Sequence, residues 1–462
     1  MSNFKTISPV DGSVYVEKPY HTPEETEATL SRAKEAQKAW VAVPLEQRKE
    51  IIYRFVDALV SHKEEIAEEI SRQMGRPISQ SGFEVNGFKE RAEYLLKIAN
   101  ESLEPYCPEE IEGFERCIEK EPLGVVCILS PWNYPFLTSV NVLVPALLAG
   151  NAVIMKHSMQ TPLVAERYAE AFGEARLPEG VFSVLHLEHQ ETAVLLADDR
   201  IDGVFFTGSV EGGFAVQEAV GNKFIPCGLE LGGKDPAYVR ADAKLETTVP
   251  NLVDGSYFNS GQSCCGIERI YVHEDLYDDF VEKFVKETRQ YKLGSPLEEG
   301  TNLGPMVKTG ASDYVRKQIR DAVEAGARSL IDESCFPASK EGTPYLAPHV
   351  LVDVDHSMAV MREESFGPVV GIMKVAGDAE AVELMNDSEY GLTASIWTQD
   401  RDAARELAGE IETGTVFMNR CDYLDPALAW TGVKNTGRGV SLSPFVYDSV
   451  TRLKSIHFKL EE

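Results

Sequence analysis

From Gly124 onward the chain settles into a rhythm that leaves few folds open to it. Four apolar runs, Val125-Val126-Cys127-Ile128-Leu129, Ala152-Val153-Ile154-Met155, Val181-Phe182-Ser183-Val184-Leu185 and Gly203-Val204-Phe205-Phe206, alternate with stretches of helical spacing. Each is bounded by Gly, Pro, Asn or another turn former. A strand buried on both faces has no polar side to present, so it loses the period of two and becomes such a run. The pattern predicts parallel strands covered by helices. A second α/β series follows Gly232, with strands expected at 269–273 and 369–373 and a long helix from about 275 to 291.

The first hundred residues predict helices. Pro23-Glu24-Glu25-Thr26 has the features of a helix start, with acids in the first turn, and Ile51, Ile52, Phe55, Val56, Leu59 and Val60 recur on one face. After Asn100 come Pro105 and Pro108 and a loosely alternating stretch, 114–120, which suggests a projecting hairpin. No Pro/Gly/Ser linker separates these regions, so the domains are expected to pack together.

With 462 residues, 43% hydrophobic and 26% charged, the chain has the composition of a soluble globular protein with a sizeable core. Its net charge of −29 opposes binding to nucleic-acid phosphates and to anionic membranes. The eight cysteines show no zinc-type spacing, the first twenty residues show no signal peptide, and the apolar stretch 140–155 is interrupted by Asn141, Pro145, Gly150 and Asn151. Free thiols in a reducing cytoplasm are expected.

Four segments carry chemistry. Asn259-Ser260-Gly261-Gln262-Ser263-Cys264 presents a cysteine after a Gly-Gln turn that reads as flexible. Pro131-Trp132-Asn133-Tyr134-Pro135 supplies an amide, Glu230-Leu231-Gly232-Gly233 a carboxylate, and Glu363-Glu364-Ser365-Phe366-Gly367-Pro368 a second one. A nucleophile, an amide donor and a base suit attack of a thiol on a carbonyl carbon. No G-x-G-x-x-G is present, but Gly208 and Ser209, after an expected strand, would let a helix N-terminus approach a diphosphate. Taken singly, each has a plainer explanation: a small buried thiol, an Asn capping a turn, a strand-end carboxylate, an ordinary strand-to-helix turn. A cysteine hydrolase would need a Cys–His partner, and none is evident. His186-Leu187-Glu188-His189 is a weak metal pattern, and the expected chemistry needs no metal.

In order along nearly the whole chain, from Ser8-Pro9 to the C-terminal region, these segments resemble the aldehyde dehydrogenase superfamily, whose members oxidise aldehydes with NAD or NADP. Lys156 and the run Gly414-Thr415-Val416 followed by Asn419 add to the resemblance. It implies an α/β fold with a Rossmann-like cofactor domain (1–102 and 123–231), a catalytic domain (232–440) and a small β oligomerisation element (103–122 and 441–462) joining a homodimer or homotetramer. It also implies that Cys264 is the nucleophile, that Asn133 and the Cys264 N–H stabilise the oxyanion, and that Glu230 activates water. Trp132, Lys156, Ser158, Gly208, Ser209, Leu231, Glu364 and Phe366 would bind the cofactor. Members that pass the acyl group to coenzyme A generally lack the glutamate at the position of Glu230, so a free acid is the expected product. A coenzyme A-acylating enzyme and a non-catalytic binding protein on the same fold remain alternatives.

The chain departs from the commonest family pattern at Lys156-His157-Ser158-Met159, where Met159 replaces an acid that would hold the adenine ribose. Acceptance of NADP is therefore expected, with Lys156 and His157 as partners of its 2′-phosphate. The resemblance lines the substrate pocket with Tyr134, Thr138, Asn141, Ser263, Cys265, Asp422, Tyr423 and Trp430. Tyr134, Tyr423 and Trp430, with Asp422, could hold a cationic aldehyde; a general aldehyde, or a semialdehyde whose carboxylate meets Arg420, are the alternatives. Cys265 is expected to pack beside the site, and a Cys264–Cys265 disulfide would switch activity off.

Overall fold

The computed structural model describes residues 2–421 and 423–460. Two parallel sheets organise the chain. The first runs, edge to edge, Gly437–Arg438, Cys227–Glu230, Gly203–Thr207, Val125–Ser130, Ala152–His157 and Phe182–Val184. All pairs are parallel except the first, which is antiparallel. The second runs Arg328–Ser329, His349–Val352, Val369–Val375, Ile267–His273, Asp235–Val239, Thr393–Trp397 and Thr415–Met418. Val125–Ser130 and Asp235–Val239 are buried at every residue, as runs without alternation require.

The helices of the first hundred residues form as their spacing dictates: Pro23–Trp40, Leu45–Ser61, Lys63–Met74 and Ile78–Leu103. Thr22 caps the first through a reciprocal pair with Glu25, the Glu25 N–H donating to Thr22 Oγ1 at 3.2 Å and the Thr22 N–H to Glu25 Oε2 at 2.8 Å. A hairpin of Asn3–Ile7 and Val14–Pro19 precedes them, which the helical expectation for this region omitted. Helix Pro135–Ala149 is apolar nearly all round and lies inside the first core, packed on Ile78–Leu103. The helix expected at about 275 to 291 is shorter, Tyr277–Thr288.

The C-terminal segment divides. Thr451–Lys459 pairs antiparallel with Phe114–Pro122 over nine residues, a two-stranded ribbon outside both sheets. Val446, Tyr447 and Val450 instead sit in the first core, where Tyr447 Oη donates to Leu95 O at 2.7 Å. Gly437–Arg438, inside the expected catalytic domain 232–440, pairs instead with the first sheet. The cause is local: the Leu231 N–H donates to Thr436 O at 2.9 Å and Thr436 Oγ1 to Gly232 O at 3.0 Å, so this returning segment clamps the Glu-Leu-Gly-Gly turn. Among the described residues no helix is long and apolar enough to cross a membrane.

Candidate active site

The candidate residues gather in a cleft between the sheets. Asn133, Lys156, Ser209 and Glu230 all lie at the C-terminal ends of strands of the first sheet, where open α/β sheets place their ligands. Cys264 precedes Ile267–His273, and Glu364 and Phe366 precede Val369–Val375, so the second sheet faces the cleft with the N-terminal ends of its strands.

The turn before Cys264 is fixed rather than flexible. Asn259, Ser260 and Gly261 adopt successive left-handed conformations, φ 53°, 57° and 71°, and all three are buried. Side chains that would otherwise resist this backbone are tied down. Ser260 Oγ donates to Gly304 O at 2.9 Å, Gln262 Nε2 to Asn259 O at 3.1 Å, and the Val307 N–H to Gln262 Oε1 at 2.8 Å. A Cβ on Gly261 would lie 2.3 Å from Gly367 O, so glycine is required there by close approach as well as by φ. Cys264 emerges half-buried from this braced loop, and Cys265 turns into a small cluster with Leu392, Trp430 and Leu442.

Asn133 is joined to the same loop. It is 5% exposed, and its Nδ2 donates to Gln262 O at 3.3 Å, leaving one amide hydrogen for another acceptor. Its carbonyl accepts from the Arg76 guanidinium and from Asn259 Nδ2 at 3.4 Å. Arg76 Nε also donates to Asn259 Oδ1 at 3.2 Å, and its Nη1 pairs with Glu84, a carboxylate with no solvent exposure. Glu84 in turn accepts the Phe136 and Leu137 N–H groups at 2.9 and 3.0 Å. Helix Pro135–Ala149 has no side-chain cap of its own, so Glu84, from a neighbouring helix, caps it. One buried ion pair thus fixes the helix start, Asn133 and the cysteine loop together. Arg76 and Glu84 carried no local motif to single them out.

Glu230 ends its strand with Oε2 accepting from Thr207 Oγ1 at 3.1 Å, and burial raises its pKa above the ordinary carboxylate range. Cys264, Glu230, Tyr134, Thr138, Asn141, Ser263, Cys265, Tyr423 and Trp430 line one cavity of about 500 Å³. Asp422, expected in this lining, lies outside the described residues.

On the cofactor side, Phe366 (φ 50°) stands edge-on to Trp132 with ring centroids 5.6 Å apart. Its loop hangs on Glu268, which accepts the Ser365 and Phe366 N–H groups at 2.8 Å each and pairs with the buried Lys234. Glu364 Oε1 accepts the Gly233 N–H at 3.1 Å, and burial, with the charge of Glu268, pushes its pKa up to about 8. Ser209 Oγ caps helix Val210–Ala219 by accepting from the Gly212 N–H at 3.1 Å, beside Gly208. Leu231 is buried, with its backbone held by Thr436. Lys156 is half-buried, has no carboxylate partner among the described residues, and is shifted below the ordinary lysine range by burial. A cation without a counter-ion beside Ser158, which follows on the same strand end, fits the ribose or phosphate of a dinucleotide. His157 does not contribute as expected. It is fully buried, Nδ1 meets Thr161 Oγ1 at 3.3 Å, and burial lowers its pKa to about 3, so it is neutral and faces inward. His186 pairs with Glu166 at 2.8 Å, and among the described residues no group of His, Cys, Asp and Glu could hold a metal ion.

The aromatic cage for a cationic substrate also needs correction. The Arg76 guanidinium lies 4.5 Å from the Tyr134 ring centroid and that of Arg420 3.8 Å from Tyr423, so two of the three rings already face cations of the protein. Arg420 is exposed and stacked rather than aimed into the cavity. Besides Arg76, the cation of the described residues that lines it is Arg91, on Ile78–Leu103, which no motif marks in the sequence. Its signal was available: it falls three residues after Phe88 on the apolar stripe of Val85, Phe88 and Ala92, where a charge is out of place.

With this geometry in hand, the comparisons with known proteins are specific. The family model described as "Aldehyde dehydrogenase family" matches residues 1–456. An aldehyde dehydrogenase of Paenarthrobacter nicotinovorans is 35% identical over 455 residues, covering 98% of each chain. The succinate semialdehyde dehydrogenase [NAD(P)+] Sad of Escherichia coli (strain K12) is 35% identical over 441 residues, covering 95% of this chain and 94% of its own. The crystal structure of succinic semialdehyde dehydrogenase from Streptococcus pyogenes in complex with NADP+ superposes with a TM-score of 0.94 at 29% identity, covering 99% of this chain and 100% of that one.

Proposed function

The chain belongs to the aldehyde dehydrogenase family, and on that premise we propose that it oxidises an aldehyde to the free carboxylic acid with NAD(P)+ through a thioester on Cys264. The observation that carries this is the convergence of Cys264 and Glu230 on one cavity, with Asn133 tied to Gln262, two residues before the thiol.

The Cys264 thiolate attacks the aldehyde carbon and forms the C–S bond. Negative charge moves onto the carbonyl oxygen, where the free Asn133 amide hydrogen and the Cys264 N–H receive it; a donor of this kind is worth on the order of 10²–10³ in rate. NAD(P)+, when bound, would supply the acceptor for the hydride lost from the carbonyl carbon as the oxyanion collapses and leaves a thioester on Cys264. Trp132 and Phe366 would hold its ring, Glu364 would accept ribose hydroxyls, Gly208 and Ser209 would receive the diphosphate, and Lys156 and Ser158 would hold the far ribose. Glu230 then takes a proton from water, the oxygen adds to the thioester, and the C–S bond breaks to return the thiolate and release the acid. Burial of Glu230 makes it a stronger base than an exposed carboxylate. That base favours hydrolysis over transfer to coenzyme A.

The relative from E. coli is named for both cofactors, and Met159 offers no carboxylate to repel a 2′-phosphate, so both cofactors are taken to serve. The ribbon of Phe114–Pro122 and Thr451–Lys459 leaves strand edges that suit contact with a second copy. Acid-quenched turnover mixtures are the test. A substrate-derived acyl group on Cys264 by peptide mass spectrometry, and loss of reduced nicotinamide in Cys264→Ala, are expected. Full activity in Cys264→Ala would end the assignment.

A further inference from the structure

Two cations, Arg76 and Arg91, line the substrate cavity among the described residues. Arg76 is engaged by Glu84, Asn133 and Asn259. Arg91 is 8% exposed, and its bonds all leave from one nitrogen: Nη1 donates to Leu137 O at 2.6 Å and to Asn141 Oδ1 at 3.2 Å. Its Nε and Nη2 have no acceptor among the described residues, and both keep some accessible surface on a side chain that lines the cavity. Among the described residues no carboxylate forms an ion pair with it, though the charges of Glu84 and Glu230 reach it through space. A guanidinium cannot shed its proton, and a buried cation without a counter-ion is costly.

We propose that the cavity takes aldehydes that end in a carboxylate, and that Arg91, steadied by Leu137 and Asn141, receives that carboxylate. Three further observations support the assignment. The pair of free donors is the fork that binds a carboxylate in two parallel bonds. Leu137 and Asn141, which hold Arg91, lie in the first two turns of helix Pro135–Ala149, which begins two residues after Asn133, so the fork is held by the element that follows the amide meeting the carbonyl. The two acids whose charges reach Arg91 are bonded elsewhere: Glu84 to Arg76, and Glu230 to Thr207 Oγ1 at 3.1 Å. A cationic group placed against the Arg91 fork would meet repulsion.

The inference rests on the reaction proposed above, and its test separates the two. kcat/KM is measured for 4-oxobutanoate, for its methyl ester and for butanal, in the native enzyme and in Arg91→Gln. The native enzyme should favour the anion by on the order of 10²-fold, and Arg91→Gln should erase that ratio, the size expected for losing a charge-assisted pair. A second measurement needs no variant: butyrate should compete with substrate in the native enzyme at least tenfold better than butanamide, since the hydrogen-bonding shape is shared and the charge is not. Oxidation of butanal with no preference for the anion, a ratio that survives in Arg91→Gln, or equal inhibition by butyrate and butanamide would each overturn the assignment while leaving the reaction standing. No oxidation of any aldehyde would overturn the reaction, and this inference with it.

Discussion

The buried pair Arg76–Glu84 makes a prediction whose size follows from its surroundings. Both side chains are essentially unexposed, 1% and 0%, and each has further work: Glu84 accepts two N–H groups at the start of Pro135–Ala149, and Arg76 holds the Asn133 carbonyl and Asn259. In Arg76→Met the carboxylate stays buried without its cation, a loss of about 3–5 kcal/mol. In Glu84→Gln a cation is stranded, with a similar loss, and the charge at the helix start disappears, adding about 0.5–1 kcal/mol. In the double variant neither charge remains, so the cost should fall well below the sum of the singles, with a coupling of at least about 2 kcal/mol. Urea unfolding followed by tryptophan fluorescence measures stability in all four proteins. Activity should not recover in step, because Arg76 also positions Asn133 and the cysteine loop: kcat should stay depressed in the double variant, with KM for the cofactor little changed. Simple additivity of the two stability losses would refute the claim that the pair acts as a unit. Recovery of kcat along with stability would refute the positioning role.

Three other outcomes can be checked. Burial raises the pKa of Glu230, and a base works only when ionised, so kcat should rise with pH through a transition above the ordinary value of 4.5; Glu230→Gln should flatten that limb and stop after one equivalent of reduced nicotinamide per site, seen as a burst without a steady state. Glu364, pushed up to about 8 by burial and by Glu268, becomes the ribose-accepting anion only as pH climbs, so KM for NAD(P)+ should fall across that pH; Glu268→Gln should move the fall to lower pH, and an unmoved transition would show that Glu268 does not set it. Met159→Glu should raise the NAD+ to NADP+ ratio of kcat/KM by about tenfold or more, by restoring a carboxylate that repels the 2′-phosphate and accepts ribose hydroxyls; an unchanged ratio would mean that position 159 does not face the ribose.

Much of this protein was legible along the chain because the relevant physics is local. Unbroken apolar runs such as 125–129 and 152–155 identify strands buried on both faces, since burial on two sides removes alternation. Gly261, and the spacing of the four chemical segments, identified the cysteine loop and its partners in kind. The sequence could not say that the Gly-Gln turn is rigid, because its bracing comes from Gly304 and Val307, more than forty residues on. It placed His157 toward a phosphate, whereas neighbouring side chains of Ala152–His157 point to opposite faces, which leaves Lys156 half-buried and turns His157 into the core. It read Tyr134 and Tyr423 as open rings, whereas Arg76, from a distant segment, lies against the first and Arg420, three residues away, against the second. Periodicity and residue type are properties of neighbours in the chain, and they determined the strands, the helices and the chemical class of the site. Which charges meet is decided by contacts between distant segments: Arg76 with Asn133, Arg91 with Asn141, Glu268 with the loop carrying Glu364. Only the folded packing decided those, because a charge is satisfied by whatever lies within a few ångströms in space, and the sequence records no such distance.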